Sequence, residues 1–420
     1  MQDSGLVEFA SHSWDLHRGL AGNPTGSLEP AATTHAYLPG HGYETDAIWI
    51  ERVRSDLERN SALLEQRLGR RPRAIVWPYG RYNDQTERIA RELGMPIGLT
   101  LDSGRKELAG PIGRIRRLLV DGNPSATRLA RLVRQLDDAP TVRFVQLGLD
   151  RLADCSDAES ERRLRQWLER IRALGVETVV LGAYVQPGAS GRIEAVYFPN
   201  RILPMRADLL NRVAWSIATL TQARVYAWLP ADGFALDPTP ADPDAREQVG
   251  DLFEDLGRAV YLQGLLSGSS TSGGTLEAVG DRAARLAERT RAWQPQLRTA
   301  LRVDAQRGGP SPGQVPVLLD LHDYLLVQAR PDDDARVQAG ALAAIRSVAG
   351  AAARTLIALP APAGSAARVD EQAQRLQRAG FPNLGVVGPD LDGSPEDLAA
   401  LRRALSLRAQ PAQATQGSGS

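Results

Sequence analysis

From residue 141 onward, strand-like apolar runs alternate with helical stretches, and this alternation limits the possible folds more than any other feature of the sequence. Eight runs have the length and composition of buried strands: 142–149, 178–185, 224–229, 259–266, 297–303, 315–319, 355–359 and 384–387. The intervening stretches have the length of crossover helices, for example 158–173, 208–219, 275–292 and 335–349. Because eight strands close a (β/α)8 barrel, the sequence predicts a TIM-like barrel over 141–407, with an open doubly wound sheet as the alternative.

The first 137 residues predict a separate α/β unit, and 420 residues are enough for two domains. Its predicted elements are a strand at 5–11, a loop at 19–44, a helix at 46–68, a strand at 74–77 and a helix at 84–93. Two aspartates followed by Ala139 and Pro140 indicate a linker, so we expect a domain boundary near residue 139. Residues 408–420, rich in Gln, Ala, Gly and Ser, predict a disordered tail.

Composition excludes several classes of protein. Fifty basic and fifty acidic residues balance each other, which argues against nucleic-acid binding. No apolar run approaches the roughly 20 residues of a membrane span. The single cysteine, Cys155, rules out an internal disulfide, and there is no nucleotide-binding or zincin motif. The first residues contain no export signal and read like the middle of a domain, so we expect a preceding portion to be missing.

Two of the five histidines lie close together in the run SHSWDLH, as His12 and His17. At this spacing they share neither one face of a helix nor one face of a straight strand. They converge on one ion only if a turn separates them, and Asp15 and Leu16 are the candidates for it. A metal site and a pair of polar loop histidines are both open readings. A catalytic zinc site generally needs a third protein ligand as well.

The runs SGLVEFASHSWDLHRG, GYETDAIWIERVRSDLERN, RRPRAIVWPYGRYN and LGMPIGLTLDSG resemble the NodB-homology domain of bacterial poly-β-1,6-N-acetyl-D-glucosamine N-deacetylases. The second part resembles the C-terminal domain of the same family through VQLGLD, YFPNR, LPMRADL, NRVAW and VYAWLP. The resemblance implies a partial NodB-like (β/α) deacetylase barrel followed by a glycoside-hydrolase-like barrel. It also implies metal-dependent N-deacetylation of the polymer in biofilm exopolysaccharide processing, in the periplasm or at the outer membrane, with the export machinery as a further partner.

The resemblance assigns His12 and His17 as ligands of a divalent metal, of which Zn²⁺ is the first choice. It assigns the backbone N–H of Tyr79 as the donor that polarises the acetyl oxygen, and the flanking Pro78 and Gly80 as substrate-binding residues. In the family, an aspartate pair upstream of the histidines supplies the catalytic base and the third metal ligand, and a general-acid histidine also lies outside the matched runs. Neither is present in the matched runs here. We therefore expect an incomplete metal site and impaired turnover.

In the barrel, the resemblance implies a glycan-binding groove that includes Asp150, Tyr197, Asn200 and Trp228. The two aromatic side chains can equally belong to the barrel core. The family's Phe-His-Asp-Asp segment appears here as the stretch 264–270, which has serine and glycine in place of the acids, and Gly148 stands where the family has aspartate. Since glycoside hydrolysis needs two positioned carboxylates, we expect glycan binding without cleavage. A non-catalytic glycan-binding protein and a hydrolase with relocated acids remain the alternatives.

Overall fold

The computed structural model describes residues 4–102, 112–134, 141–236, 243–269, 274–304, 309–328, 335–389, 391 and 393–406. The chain forms two compact units that divide after Pro140. The first unit also includes two later segments, Glu254–Tyr261 and Arg289–Gln296, and the second unit contains the rest. The predicted tail at 408–420 lies outside the described residues. No helix in the described ranges is long and apolar enough to cross a membrane.

The first unit is an α/β unit, as its sequence pattern predicts. Its elements are β1 (Gly19–Ala21), β2 (Leu28–Pro30), β3 (Tyr37–Leu38), β4 (Gly42–Tyr43), α1 (Asp46–Leu68), β5 (Ala74–Val76), α2 (Asp84–Glu92), β6 (Ile97–Thr100), β7 (Ile115–Arg116) and α3 (Ala126–Arg134). Strands β5, β6 and β7 form a parallel sheet in that order. The strand predicted at 5–11 is wrong, because only Ser11 makes a bridge, to Ile75 of β5.

Helix α1 begins and ends where its sequence predicts. The Thr45 side chain accepts a hydrogen bond from the first turn, and Gly69 ends the helix with a φ of 73° that favours glycine. Three apolar side chains four residues apart form its buried stripe: Trp49, Val53 and Leu57. This stripe joins the core of the unit with Ile75 and Trp77 around β5. The helix is therefore fixed beside the strand that carries the candidate site.

An ion pair between Arg52 of α1 and Glu44 fastens the preceding loops to this helix. Two nitrogens of Arg52 donate to the two carboxylate oxygens of Glu44, at 2.9 and 2.8 Å. The same guanidinium donates to the carbonyls of Ala31 and Thr34, at 2.8 and 3.0 Å. Burial raises the pKa of Glu44, but hydrogen bonds from Arg52 and the Ala36 N–H outweigh it, so the net pKa lies below its usual value. The carboxylate is thus charged, buried and fully dependent on its partners.

His35 is buried between two tryptophans of the first unit. Its ring stacks on Trp49 at 4.9 Å and is tilted against Trp293 at 5.5 Å between centroids. Its Nε2 atom lies 2.9 Å from a carboxylate oxygen of Asp46. Burial lowers the pKa of His35, and the negative charge of Asp46 offsets this effect only in part. The folded protein therefore holds this imidazole neutral at a pH where the unfolded chain protonates it.

Lowering the pH from 7 to 5 should destabilise the first unit through His35. Below the ordinary histidine pKa of about 6.5, the unfolded chain binds more protons than the folded one. The free energy of unfolding therefore decreases as the pH is lowered through this range. Urea unfolding at both pH values measures this loss, which should be smaller in His35→Gln than in the parent. The exposed His41 supplies the control, His41→Gln, which should keep the parent's pH dependence. An equal loss in all three proteins would contradict the assignment.

The second unit is a closed barrel of eight parallel strands, which confirms the predicted (β/α)8 barrel. Its strands are β8 (Arg143–Leu147), β9 (Thr178–Gly182), β10 (Arg224–Trp228), β11 (Gly264–Ser267), β12 (Arg298–Asp304), β13 (Tyr324–Gln328), β14 (Thr355–Pro360) and β15 (Asn383–Val387). Its helices are α4 (Asp150–Ala153), α5 (Asp157–Leu174), α6 (Leu210–Thr221), α7 (Pro243–Ala259), α8 (Leu276–Arg291), α9 (Gln314–Leu321), α10 (Ala335–Arg346), α11 (Ala366–Arg378) and α12 (Pro395–Leu405). Strand β15 pairs with β8, and this pairing closes the barrel.

One of the eight predicted strands is wrong. The run 315–319 lies in helix α9, and the strand that follows it in the barrel is β13, which the sequence pattern missed. A short apolar run does not by itself distinguish a strand from a buried helical segment. The run at 259–266 also begins too early, because α7 ends at Ala259 and β11 starts at Gly264.

Two glycines of the barrel strands make room for aromatic rings. A Cβ atom on Gly264 of β11 would lie 2.3 Å from a ring carbon of Tyr226, its partner on β10. A Cβ on Gly385 of β15 would lie equally close to the ring of Phe144 on β8, at 2.3 Å. Both rings are buried, Phe144 at 1% and Tyr226 at 5% exposure. The close packing of the barrel therefore depends on the absence of a side chain at these positions.

Candidate functional site

The structure brings the two predicted metal ligands together. The ring centroids of His12 and His17 are 4.9 Å apart, and the ring of Tyr79 lies 4.4 Å from that of His17. All three side chains are exposed. The chain reverses between the histidines through Ser13, whose φ is 69°, and the Ser13 hydroxyl accepts a hydrogen bond from the Leu16 N–H at 3.2 Å. The turn required by the spacing of the histidines is present.

Strand β5 fixes the orientation of His12. The His12 Nδ1 atom lies 2.6 Å from the carbonyl oxygen of Val76, the last residue of that strand. A carbonyl only accepts hydrogen bonds, so Nδ1 carries the hydrogen and the lone pair of the neutral ring is on Nε2. Metal-binding histidines are commonly oriented by such a bond from the nitrogen that does not bind the ion. His12 therefore fits the role of a metal ligand.

The segment Pro78–Gly80 forms a tight turn directly after β5. Tyr79 has a φ of 56° and Gly80 a φ of 68°, so two successive residues adopt the left-handed conformation. The hydrogen bonds of the turn use the N–H groups of Gly80 and Arg81, which donate to the carbonyls of Trp77 and Pro78 at 2.9 Å each. The Tyr79 N–H is not among those donors. The Tyr79 ring lies beside that of His17, and the contact of the Tyr79 N–H with an acetyl oxygen stays a prediction.

Gly80 cannot be replaced without moving this turn. A Cβ atom there would lie 2.6 Å from the Cβ of Leu101, and the positive φ disfavours any other residue. Pro78 is buried and fixes the start of the turn. The predicted roles of these two residues in substrate binding are therefore indirect in this structure, since both shape the backbone at Tyr79.

The chemistry of the histidine pair suits a zinc ion, because imidazole nitrogen is a common zinc ligand. Within the described ranges, no group of three or more His, Cys, Asp or Glu residues is placed to hold a metal ion. Asp15, the acid nearest to the pair in sequence, forms an ion pair with Arg18 at 3.0 Å. Zinc binding by His12 and His17 stays a prediction.

In the barrel, Asp150 lies just beyond the carboxyl end of β8, the end at which TIM barrels place their active sites. The Tyr197 hydroxyl donates to its carboxylate at 3.0 Å, and the N–H of Gln186 donates at 3.2 Å. Burial, followed by the charge of Asp150, raises the pKa of Tyr197. A Cβ atom on Gly148 would lie 3.2 Å from the second Asp150 oxygen, so glycine there leaves space beside the carboxylate.

The predicted aromatic contacts with sugar are buried in this structure. Tyr197 is 1% exposed and Trp228 is 2% exposed. The indole N–H of Trp228 donates to the Tyr184 hydroxyl at 2.9 Å, and the Arg302 guanidinium lies 5.1 Å from the Trp228 ring centroid. Rings with so little exposed face would have to become accessible before a sugar could stack on them. Their direct role in binding stays a prediction.

The Asn200 side chain organises its own loop. Its oxygen accepts hydrogen bonds from the N–H groups of Ile202 and Leu203, at 2.8 and 2.6 Å. Its amide donates to the Phe198 carbonyl at 3.2 Å. The residue thus shapes the backbone that follows Tyr197, and contact with substrate stays a prediction here as well.

Sequence reasoning missed one acid at this end of the barrel, Asp232. It follows β10, its side chain is 11% exposed, and it accepts a hydrogen bond from the Ser269 hydroxyl at 2.7 Å. The sequence signal that could have identified Asp232 is its position four residues after the end of β10, in a Pro-Ala-Asp-Gly turn. The sequence offers Asp237, Asp251 and Glu254 as replacements for the missing acid. Asp237 lies outside the described residues. The other two lie on α7, where Asp251 faces Arg201 at 3.9 Å and Glu254 pairs with Arg289 at 2.8 Å.

Two segments of the chain match known protein families. Residues 1–98 match the polysaccharide deacetylase family. Residues 146–241 match a family described as hypothetical glycosyl hydrolase family 13. The chain therefore joins a polysaccharide deacetylase segment, which contains the histidine pair and the Pro78–Gly80 turn, to a glycoside-hydrolase-like barrel.

Individual relatives make this class more specific. The poly-beta-1,6-N-acetyl-D-glucosamine N-deacetylase of Escherichia coli K12 is 33% identical over 289 residues, which cover 63% of this chain and 43% of that protein. The glycoside hydrolase domain of PgaB (BpsB) from Bordetella bronchiseptica shares the fold of the barrel, with a TM-score of 0.54 and 24% identity over 64% of this chain and 99% of that domain. The BpsB deacetylase domain from the same organism is 48% identical over 28% of this chain and 45% of that domain, with a TM-score of 0.27. The chain is thus similar to these proteins, and it spans less than half the length of the curated relative it matches.

Proposed function

We propose that this chain carries a metal-dependent N-deacetylase site for poly-β-1,6-N-acetyl-D-glucosamine, and that it acts in periplasmic processing of biofilm exopolysaccharide before export. The observation that carries the proposal is the cluster of His12, His17 and Tyr79, formed by two separate segments that meet at the end of β5. Support for the substrate comes from the 33% identical deacetylase of Escherichia coli K12. The export machinery is a proposed partner that rests on the family resemblance of the sequence alone.

Each residue of the cluster has a defined part in amide hydrolysis. His12 and His17 would hold the ion, and a bound zinc ion supplies an acidified water and polarises the amide carbonyl. The Val76 carbonyl keeps the hydrogen of His12 on Nδ1, which leaves the lone pair of the neutral ring on Nε2 for the ion. The Tyr79 N–H, held in a left-handed turn, donates to the acetyl oxygen as negative charge develops on it. Gly80 and Pro78 keep that donor in place.

The alternative function is binding of glucosamine-containing glycans by the barrel. Asp150 favours it, because a carboxylate at the carboxyl end of β8 can pair with a glucosamine ammonium group. Cleavage of the glycan would need a second carboxylate as proton donor. Ser267, in the stretch where the family carries its acids, is buried at 3% exposure and is too weak an acid for that role.

Acetate release from β-1,6-linked N-acetylglucosamine oligomers tests the proposal. We expect slow release that needs added Zn²⁺, stops with a chelator and is lost in His17→Ala, because this substitution removes one of two ligands. His41→Ala, which changes an exposed histidine outside the cluster, should keep the parent's rate. Chain-length analysis of the same reactions separates deacetylation from glycan cleavage, and we expect no shorter chains. Acetate release that survives His17→Ala, or no release at any zinc concentration, would reject the proposed site.

A further inference from the structure

One face of helix α1 holds the loop that carries both histidines. Asp56, Arg59 and Asn60 lie three and four residues apart on this helix, so their side chains project from neighbouring positions. Asn60 accepts a hydrogen bond from the Ser11 hydroxyl at 2.7 Å. The Arg59 guanidinium lies 4.1 Å from the centroid of the exposed Trp14 ring. Each of the three side chains thus contacts the segment 11–15.

Asp56 makes the most specific of these contacts. One of its carboxylate oxygens accepts a hydrogen bond from the N–H of Trp14 at 2.8 Å, and the other accepts one from the N–H of Asp15 at 2.7 Å. Both donors belong to the backbone between His12 and His17. A half-buried carboxylate that binds two successive N–H groups fixes the orientation of the peptide between them.

The two histidines depend on this contact to different degrees. The first end of the loop is fixed to β5, since the Ser11 N–H donates to the Ala74 carbonyl at 2.9 Å and the Ser11 carbonyl accepts from Val76 at 2.8 Å. His12 adds its own bond to that strand. His17 has no such bond among those described, and its placement relies on the buried neighbour Leu16 and on the path of the backbone before it.

We propose that Asp56 is a positioning residue for the histidine pair, which sets the separation of the two imidazoles by fixing the backbone at Trp14 and Asp15. The hydrogen bonds of Asp56 to Trp14 and Asp15 are observed independently of any function. The idea that they pre-arrange the histidine pair for one metal ion rests on the proposed function. Asp56 binds the backbone of the loop and acts on the histidines through it. Losing it should free His17 relative to His12 without removing any residue of the unit's apolar core.

A measurement without metal tests the geometry. With five histidines in the chain, selective labelling gives a simple spectrum, and rings 4.9 Å apart should show a cross-relaxation signal between His12 and His17, assigned with His12→Gln. This signal should disappear in Asp56→Ala. It should persist in Glu58→Ala, the matched control, because Glu58 lies on the same helix and pairs with Arg71 at 2.8 Å. Persistence of the signal in Asp56→Ala would overturn the proposal.

Zinc titration calorimetry tests the purpose. In the parent we expect a zinc affinity weaker than micromolar, about the level of a site with two protein ligands. In Asp56→Ala we expect a further loss of about tenfold, the scale of effects seen when groups that orient metal ligands are removed. Asp56→Asn keeps one oxygen acceptor and should fall between the two, while Glu58→Ala should match the parent. Circular dichroism of each variant shows whether it is folded. If Asp56→Ala does not fold, the zinc affinity of Asp56→Asn tests the positioning role.

The two proposals fail in different ways. If zinc binding in the parent is absent or indifferent to His12→Ala, the proposed metal site is wrong, and the ring signal still decides the role of Asp56. If His12→Ala abolishes binding while Asp56→Ala and Asp56→Asn bind like the parent, the metal site stands and the positioning role is wrong.

Discussion

Replacing Arg52 with alanine should lower the free energy of unfolding of the first unit by about 3–5 kcal/mol, the cost of breaking a buried ion pair by removing one partner. The Glu44 side chain is only 5% exposed, and without the two bonds from Arg52 the effect of burial on its pKa would lose its main offset. The carbonyls of Ala31 and Thr34 would also lose their donor. Urea unfolding at pH 7, followed by the fluorescence of buried tryptophans, measures the loss.

The same helix provides the control for this prediction. Arg54 pairs with Glu92, but the two side chains are 36% and 47% exposed, and exposed ion pairs contribute about 0–1 kcal/mol. Arg54→Ala should therefore cost no more than that. If the two substitutions lower the free energy of unfolding equally, the burial of Glu44 does not increase the contribution of its ion pair to stability. The double replacement of Arg52 and Glu44 by methionine and leucine should recover part of the loss, since it leaves no unpaired charge.

Replacing Gly264 with alanine should destabilise the barrel by about 1–3 kcal/mol, the usual cost of forcing an extra carbon into a packed core. The added carbon would overlap the ring of Tyr226, which is 5% exposed and has little space to move. The strain falls on the paired strands β10 and β11. Unfolding in urea, followed by far-ultraviolet circular dichroism, gives the change.

Gly340 is the matched control in the same unit. It lies inside helix α10, and a Cβ atom there would meet nothing within 4 Å. Gly340→Ala should raise stability by about 0.5–1 kcal/mol, because glycine is a poor helix former. Opposite signs for the two substitutions are the expected result. A stabilised Gly264→Ala protein would show that the ring of Tyr226 can move aside at no cost.

The fold was predictable from sequence where local signals agreed with one another. Helix α1 begins after a Thr45 cap and ends at Gly69, and its apolar stripe has the helical period, so its bounds match the prediction. Helix α9 and strand β13 were not separable in this way. Both are short and apolar, and the barrel pairing of β13 with β12 and β14, which distinguishes them, is a property of the folded chain.

In the candidate site, too, local patterns were predictable from the sequence and long-range contacts were not. The histidine run and the Pro78–Gly80 turn are local patterns, and the structure places them together as predicted. Asp56 lies 41 residues from Asp15, whose N–H donates to it, and Tyr197 lies 47 residues from Asp150. Nothing in the sequence around Asp56 marks it among the other charged residues of a solvated helix. Long-range hydrogen bonds of this kind become visible only when the chain is folded.

The inclusion of residues 254–261 and 289–296 in the first unit has a consequence for the order of events during synthesis. Trp293 packs on Trp49 at 5.4 Å, and the Ala292 carbonyl accepts a hydrogen bond from Asp84 at 3.0 Å. A ribosome that adds 5–20 residues per second needs roughly 8–30 s to extend the chain from residue 140 to residue 296. For that interval the nascent first unit exposes the apolar surface of Trp49 that Trp293 later covers. Until residues 289–296 are available, this aromatic surface is a target for chaperones that bind exposed aromatic side chains.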